Sequence, residues 1–420
     1  MKALAFVALV SIPQTARGVL LSSKGWGTKG KEPVYQCLPD YSRLDAVSYC
    51  RPKEGQTCAL SAMKANQTTM VYPGGKTRCM DNTKPEYAFQ VVPGSSDKLL
   101  INFEGGGATW DYLSYAAKAC AVGKAIPYPR IGFLEGLPRN PFLGYTVLNI
   151  VYCSCDLHSG NAVHAWRDNF GQQVKQFGYH NTRSAIDWAK ANFKGKLSSL
   201  ILMGQSAGGI GTQVWASTLL TEFDYASASV ISDSYLGAFP PGFQGPVFKD
   251  LNVCELEIIT PEQKELCTSG RITIPDVFES AMKLFPRVAF ASINGKGDVI
   301  QPDFYRKAAI SKGMVQEFKQ YQQGQFLLSM HEILQRYHAH PNFVSLTVPS
   351  AFHSYSACDQ LYTMQSTLNG GPYAVADWLA QFTADPPRKK LQGICLSGPN
   401  EQRPLGCDPT WANREFVIPP

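Results

Sequence analysis

The sequence runs to 420 residues, 44% of them hydrophobic and 17% charged, with a formal net charge of +6. That apolar content excludes a disordered or fibrous chain and suffices for one large core or two ordinary ones. The positive charge is mild and contains no run of Lys or Arg, which argues against a nucleic-acid groove.

The opening residues MKALAFVALVSIPQTARG place Lys2 before an apolar stretch from Ala3 to Ile12, then Pro13 and small residues at Ala16 and Gly18. This is the layout of a secretory signal peptide over residues 1–18, and its apolar part is too short to span a bilayer. A secreted, extracellular protein with no stable membrane anchor is therefore expected. Twelve cysteines lie beyond it, and an even number in an exported chain reads as a disulfide framework. Cys254 and Cys267, and Cys395 and Cys407, are spaced for local bridges. The remaining connectivity is open, and no CxxC pair points to zinc. Asn66-Gln67-Thr68 is a glycosylation acceptor pattern, used only in a eukaryotic secretory route.

Residues 19–85 are rich in Cys, Gly, Lys and Pro and read as a loop-rich, disulfide-held lead-in packed on the main domain, which spans 86–420. From Lys98 the pattern changes. KLLINF reads as a buried strand ending in Glu104-Gly105-Gly106-Gly107, and YTVLNIVYC as a second strand. NTRSAIDWAKANF puts Ala185, Ile186, Ala189 and Phe193 on one helical face. SLILMG is a third strand and GIGTQVWASTLL a helix. SASVISDS, RVAFASI and NFVSLTV continue the series, separated by insertions over 237–285 and 303–340 that could form a lid. Strands alternating with helices predict an α/β-hydrolase-like fold: a mostly parallel sheet with helices on both faces.

Gly204-Gln205-Ser206-Ala207-Gly208 satisfies G-x-S-x-G, and here a strand enters and a helix leaves, the setting a nucleophile elbow requires. The competing reading is a glycine-rich β-to-α turn that binds a phosphate or nothing. In a hydrolase of this kind the acid and then the histidine come after the serine, each on a loop after a late strand. Among the histidines after Ser206, His331, His338 and His340 fall in a helical stretch and read as structural. His353 comes after NFVSLTV by a short loop and is the expected base. Asp298 comes after RVAFASI and is the expected acid. Asp303 is its competitor, read instead as an acidic cap opening the next helix. The oxyanion is expected to be held by the amides of Gly106, Gly107 and Ala207.

The stretches NFEGGGATW, VYCSCDLHSGN, GQSAGGIG, GDVIQPDFY and FHSYSACDQLYTMQ…VADWL resemble, in the same order, those of the pectin acetylesterase family, which includes the Notum carboxylesterases. The resemblance covers roughly residues 87–382. It implies the same Ser206, Asp298 and His353, with Gly106, Gly107 and Ala207 at the oxyanion. Thr109 stands where many members have a cysteine, and Cys155 where they often have Gly or Ser, so the family's disulfides do not transfer. Gly107 replaces the Trp that comes after the paired glycines of Notum proteins, with Trp110 later. Asp156 and His158 read as structural. The resemblance thus implies a secreted serine esterase, without metal or organic cofactor, expected to be a monomer. Its implied partner is an acetylated polysaccharide or another acyl ester. A longer-chain deacylase and a non-catalytic glycan-binding relative are the alternatives.

Overall fold

The computed structural model describes residues 36–384, apart from 38, 53–54, 121–122, 315–322, 349 and 369–370, together with 394–395. The expected signal peptide and the Cys395–Cys407 bridge lie outside the described residues, the latter through Cys407.

Six strands carry the series read from sequence: β4 (Lys98–Phe103), β5 (Thr146–Ile150), β6 (Leu197–Gln205), β7 (Tyr225–Asp233), β8 (Ala289–Gly295) and β9 (Phe343–Val348). Before them come the short β1 (Ser48–Cys50) and β2 (Thr69–Val71) and then β3 (Phe89–Val92); after them comes β10 (Ile394–Cys395). All join one sheet in the order β1-β2-β3-β5-β4-β6-β7-β8-β9-β10. Every pairing from β5 to β10 is parallel, while β3 is antiparallel to both its neighbours. The expected α/β-hydrolase-like sheet is therefore present, with β1 and β2 carrying it into the cysteine-rich lead-in.

The near-continuous burial of these strands is what a sheet covered on both faces demands, and alternate residues divide between two cores. Ile101, Leu200, Leu202 and Val230 face one layer, and Leu100, Ile201, Met203 and Ile231 face the other. The first layer holds helices α1 (Gly178–Asn192), α2 (Ala207–Glu222) and α3 (Ile274–Leu284). Ala185, Ile186 and Ala189 are buried on α1, as their spacing predicted. From Ala207 to Leu220 every residue of α2 is buried, as expected of a helix that is not amphipathic. The segments expected as a lid belong largely to this same core. Phe248, Ile258, Ile272 and Phe278 pack in it, as do Tyr305 of α4 (Ile300–Ser311) and Met330, Leu334 and Tyr337 of α5 (Gln323–His338). On the opposite layer α6 (Val375–Thr383) buries Trp378, Leu379 and Phe382.

Disulfides join Cys37 to Cys358, Cys50 to Cys58, Cys79 to Cys153, Cys120 to Cys155 and Cys254 to Cys267. The last was expected from spacing. The first spans 321 residues of sequence and brings the Cys37 amide to the His353 carbonyl, 3.2 Å away. Replacing Cys37 and Cys358 together by serine is expected to lower the unfolding free energy by about 2–5 kcal/mol, measured by urea denaturation. An unchanged midpoint would mean that the bridge does not constrain the chain.

Candidate active site

The order inversion at β4 sets the geometry. Its neighbours are β5 on one side and β6 on the other, which makes the C-terminal ends of β4 and β6 a topological switch point, where open α/β sheets bind ligands. At that point β4 delivers Gly105-Gly106-Gly107 and β6 delivers Ser206.

Ser206 is the residue between β6 and α2, half-buried, with φ 57° and ψ −121°. A non-glycine residue holds such angles only when its surroundings enforce them. The enforcement is visible: its amide donates to the Asp233 carbonyl at 2.8 Å, and its carbonyl accepts from Gly209 N at 2.9 Å as α2 begins. Bare backbone is required here because a Cβ on Gly208 would overlap the Phe103 carbonyl at the end of β4. Gly105 is equally constrained: a Cβ there would stand 2.6 Å from the Gln205 carbonyl and 3.0 Å from the Ser206 Cβ. Gly105, which sequence reasoning did not single out, therefore packs against the serine turn. Gly106 and Gly107 adopt φ 154° and 86°, and Gly107 accepts the Tyr152 hydroxyl at 3.0 Å. Ala207 opens α2, at the positive end of its dipole.

On the loops after β8 and β9, Asp298 and His353 meet: Nδ1 of His353 lies 2.7 Å from Oδ2 of Asp298, with the side chains 4% and 1% exposed. A carboxylate only accepts, so Nδ1 is the donor, and in the neutral ring Nε2 presents a lone pair. That Nε2 is buried without a hydrogen-bond partner, so the bond to the Ser206 hydroxyl is not made in this structure. Asp298 also accepts from Ile300 N at 2.8 Å, Gln301 N at 3.1 Å and Gln301 Nε2 at 2.8 Å. The carboxylate that satisfies the first amides of α4 is therefore Asp298. Asp303 sits inside the first turn and pairs with Arg306 and Lys307. The capping role expected of it is held by the residue it was weighed against.

His338 donates to or accepts from Ser345 Oγ at 2.8 Å, a structural role as expected. Asp156 accepts from Gly178 N at 2.7 Å and so caps α1. His158 stacks on Tyr152, 4.5 Å between centroids, and its Nε2 lies 2.8 Å from the Glu104 carbonyl. Burial depresses its pKa to about 4, so the neutral ring donates to that carbonyl and braces the glycine loop.

Below the site lies a ladder of buried amides that sequence reading missed. Gln205 Nε2 donates to Asn102 Oδ1 at 2.7 Å, Asn102 Nδ2 to Asn149 Oδ1 at 2.7 Å, and Asn149 Nδ2 to Glu104 Oε1 at 2.6 Å. Asn102 and Asn149 are register partners, and Gln205 reaches Asn102 from two residues beyond the partner Met203. Isolated Asn and Gln in apolar strands were the available signal, since a buried amide needs a partner. Burial raises the Glu104 carboxyl to about 7, against the opposing hydrogen bonds from Tyr152 N and Asn149.

No protein-family model matches the sequence, and no curated protein sequence matches it. Among solved structures, two crystal forms of the Wnt deacylase Notum from Drosophila are similar, each at 15% identity and a TM-score of 0.52. Each alignment covers 74% of this chain and 92% of that chain. At this identity the likeness establishes a Notum-like α/β-hydrolase fold.

The raised pKa of Glu104 has a sign that can be checked. By about pH 6 an unfolded glutamate has released its proton, while folded Glu104 keeps it until near pH 7. The folded state binds more protons, so stability falls as pH rises. Between pH 6.5 and 8 the contribution of Glu104 falls by about 1 kcal/mol, while His158, neutral in the fold but about half protonated at pH 6.5 when unfolded, acts in the opposite direction. Urea unfolding at the two pH values should show the stability change of the parent to be lower than that of Glu104→Gln by about 1 kcal/mol, the histidine contributions being common to both; equal changes would contradict it.

Proposed function

We propose that this protein is a secreted serine carboxylesterase in which Ser206 is the nucleophile, His353 the general base and Asp298 the residue that orients it. The observation that carries the reading is the buried, unpartnered Nε2 of a histidine whose Nδ1 is held by a carboxylate, in a chain that also keeps a serine at positive φ in its strand-to-helix turn. A buried polar atom without a partner is costly, and at this position it is the lone pair that general-base catalysis requires. The missing Ser206 bond is compatible with this role, since such bonds are often long in a free enzyme and tighten when substrate enters.

In the proposed cycle the Ser206 hydroxyl oxygen attacks the ester carbonyl while its proton passes to Nε2 of His353. The amides of Gly106, Gly107 and Ala207 receive the oxyanion. The carbonyl–alcohol bond then breaks and Nε2 returns the proton to the departing alcohol. Water, deprotonated by the same nitrogen, attacks the acyl-enzyme and frees the acid. Export is supported by five disulfides among the described residues and by the sequence of residues 1–18. Among the described residues no helix is long and apolar enough to cross a membrane.

For the substrate we favour O-acetyl groups on polysaccharide, on the strength of the motif resemblance to pectin acetylesterases. A longer acyl chain is the second reading, favoured by the likeness to a Wnt deacylase. Hydrolysis of p-nitrophenyl esters from acetate to octanoate distinguishes the two: a preference for acetate, together with acetate release from acetylated pectin or xylan, is expected. Octanoate preferred over acetate would reverse the order. Ser206→Ala should abolish hydrolysis, and Asp298→Asn should lower kcat by about 10⁴-fold through a mis-set histidine tautomer. Near-parental turnover by Asp298→Asn would remove Asp298 from the mechanism.

A further inference from the structure

The loop that carries His353 is tied to the strands on either side of it by a carboxylate that the cycle above does not use. Asp233 ends β7, aligned with Gln205 of β6, and is fully buried. Its Oδ2 accepts from both the amide and the hydroxyl of Ser356, at 2.6 and 2.7 Å. Its Oδ1 accepts the Ser234 hydroxyl at 2.7 Å, and Ser234 Oγ in turn accepts the Ser354 amide at 2.8 Å. Its main-chain carbonyl accepts the amide of Ser206. Gln205, the residue before Ser206, closes the circuit by donating Nε2 to Ser356 Oγ at 3.1 Å.

Three of the residues in this circuit, Ser206, Ser234 and Ser354, have φ of 57°, 59° and 70°. Strained non-glycine backbone persists only where its surroundings over-determine it, and the bonds from Ser206 N, Ser234 Oγ, Ser356 N and Ser356 Oγ converge on Asp233. Burial of the carboxyl raises its pKa above the ordinary range against those bonds, so the group is a burden on the fold. Its donor Ser356 lies three residues from the proposed base, Ser354, next to that base, is reached through Ser234, and its own backbone carbonyl holds the proposed nucleophile.

We propose that Asp233 is a positioning residue that holds His353 and Ser206 in register with each other, acting through Ser356, Ser234 and the Ser206 amide. The inference rests on the reading of Ser206 and His353 as nucleophile and base. Asp233 does not touch His353, whose carboxylate partner is Asp298. Its contribution is therefore to placement: a reacting group displaced by about 1 Å loses on the order of 100-fold in rate, while binding of a small ester is little affected.

The test uses the full chain with p-nitrophenyl acetate, comparing the parent with Ser206→Ala, Asp233→Ala and Asp233→Asn at a temperature well below each Tm. In folded Asp233→Ala, kcat should fall by about 100-fold with KM within about threefold of the parent. Asp233→Asn should recover about tenfold of that loss, because its amide oxygen still accepts from Ser356 N and its NH₂ can donate to Ser234 Oγ. Parental kcat in folded Asp233→Ala, with the loss confined to Tm, overturns the proposal. Should Asp233→Ala not fold, Ser356→Ala cuts the hydroxyl links to Asp233 and Gln205 while keeping the amide. A tenfold loss of kcat in that variant supports the proposal, and parental kcat overturns it. Ser206→Ala separates the two layers: if it retains parental activity, the reading of the nucleophile fails, whatever Asp233 does. If it is inactive while Asp233→Ala is parental, only the positioning role fails.

Discussion

The close approach of α2 to the end of β4 is the constraint on which the rest of this structure depends. Gly208, in the first turn of α2, lies where any side chain would overlap the Phe103 carbonyl. That contact seats the helix directly over the strand, and it forces Ser206, the residue joining β6 to α2, into a positive φ. The same approach puts Gly105 against the Ser206 turn. One steric requirement thus brings a hydroxyl, the start of a helix and a glycine loop to one place, at the point where β5 and β6 part on either side of β4.

Placing polar chemistry at the ends of buried strands creates a second demand, because polar groups there must be satisfied without water. The structure meets it with the amide ladder of Gln205, Asn102 and Asn149, which ends on Glu104. A mirror arrangement on the other side uses Asp233, Ser234 and Ser356. Each strand end is therefore tied to its neighbour by side chains as well as by the sheet. The glycine loop is held further by His158 beneath Glu104 and by Tyr152 on Gly107. His353, whose Nδ1 is held by Asp298, is among the buried residues that keep a polar side-chain atom without a hydrogen-bond partner, its Nε2.

Covalent ties extend the same logic to the N-terminal segment. Cys37 is bonded to Cys358, five residues beyond His353, and its amide reaches the His353 carbonyl. Cys120–Cys155 fastens the stretch after the glycine loop, with Thr109 N donating to the Cys155 carbonyl at 2.8 Å. Thr109 and Cys155, both departures from the pattern of the resembling family, are thus neighbours in space.

The sequence by itself determined the sheet, since runs such as SLILMG and RVAFASI are too apolar for a one-sided strand and alternate with helical patterns. It also determined the serine turn, because glycines at positions 204 and 208 supply the bare backbone that a tight strand-to-helix turn requires, and it placed Asp298 and His353 on late loops. Cys254 and Cys267, close in sequence, were legible as a pair. Only the tertiary structure decided which side chains meet across the strands. Asp298 rather than Asp303 caps α4, Gly105 packs against the Ser206 turn, and Asp233 reaches Ser356 across 123 residues of sequence. The insertions over 237–285 and 303–340, legible only as helical or irregular, fill the main core because α2 exposes an apolar surface all round that needs covering. Periodicity records which face of an element is apolar. It carries no record of partners across the sheet, and hydrogen bonds between distant loops leave no spacing to read.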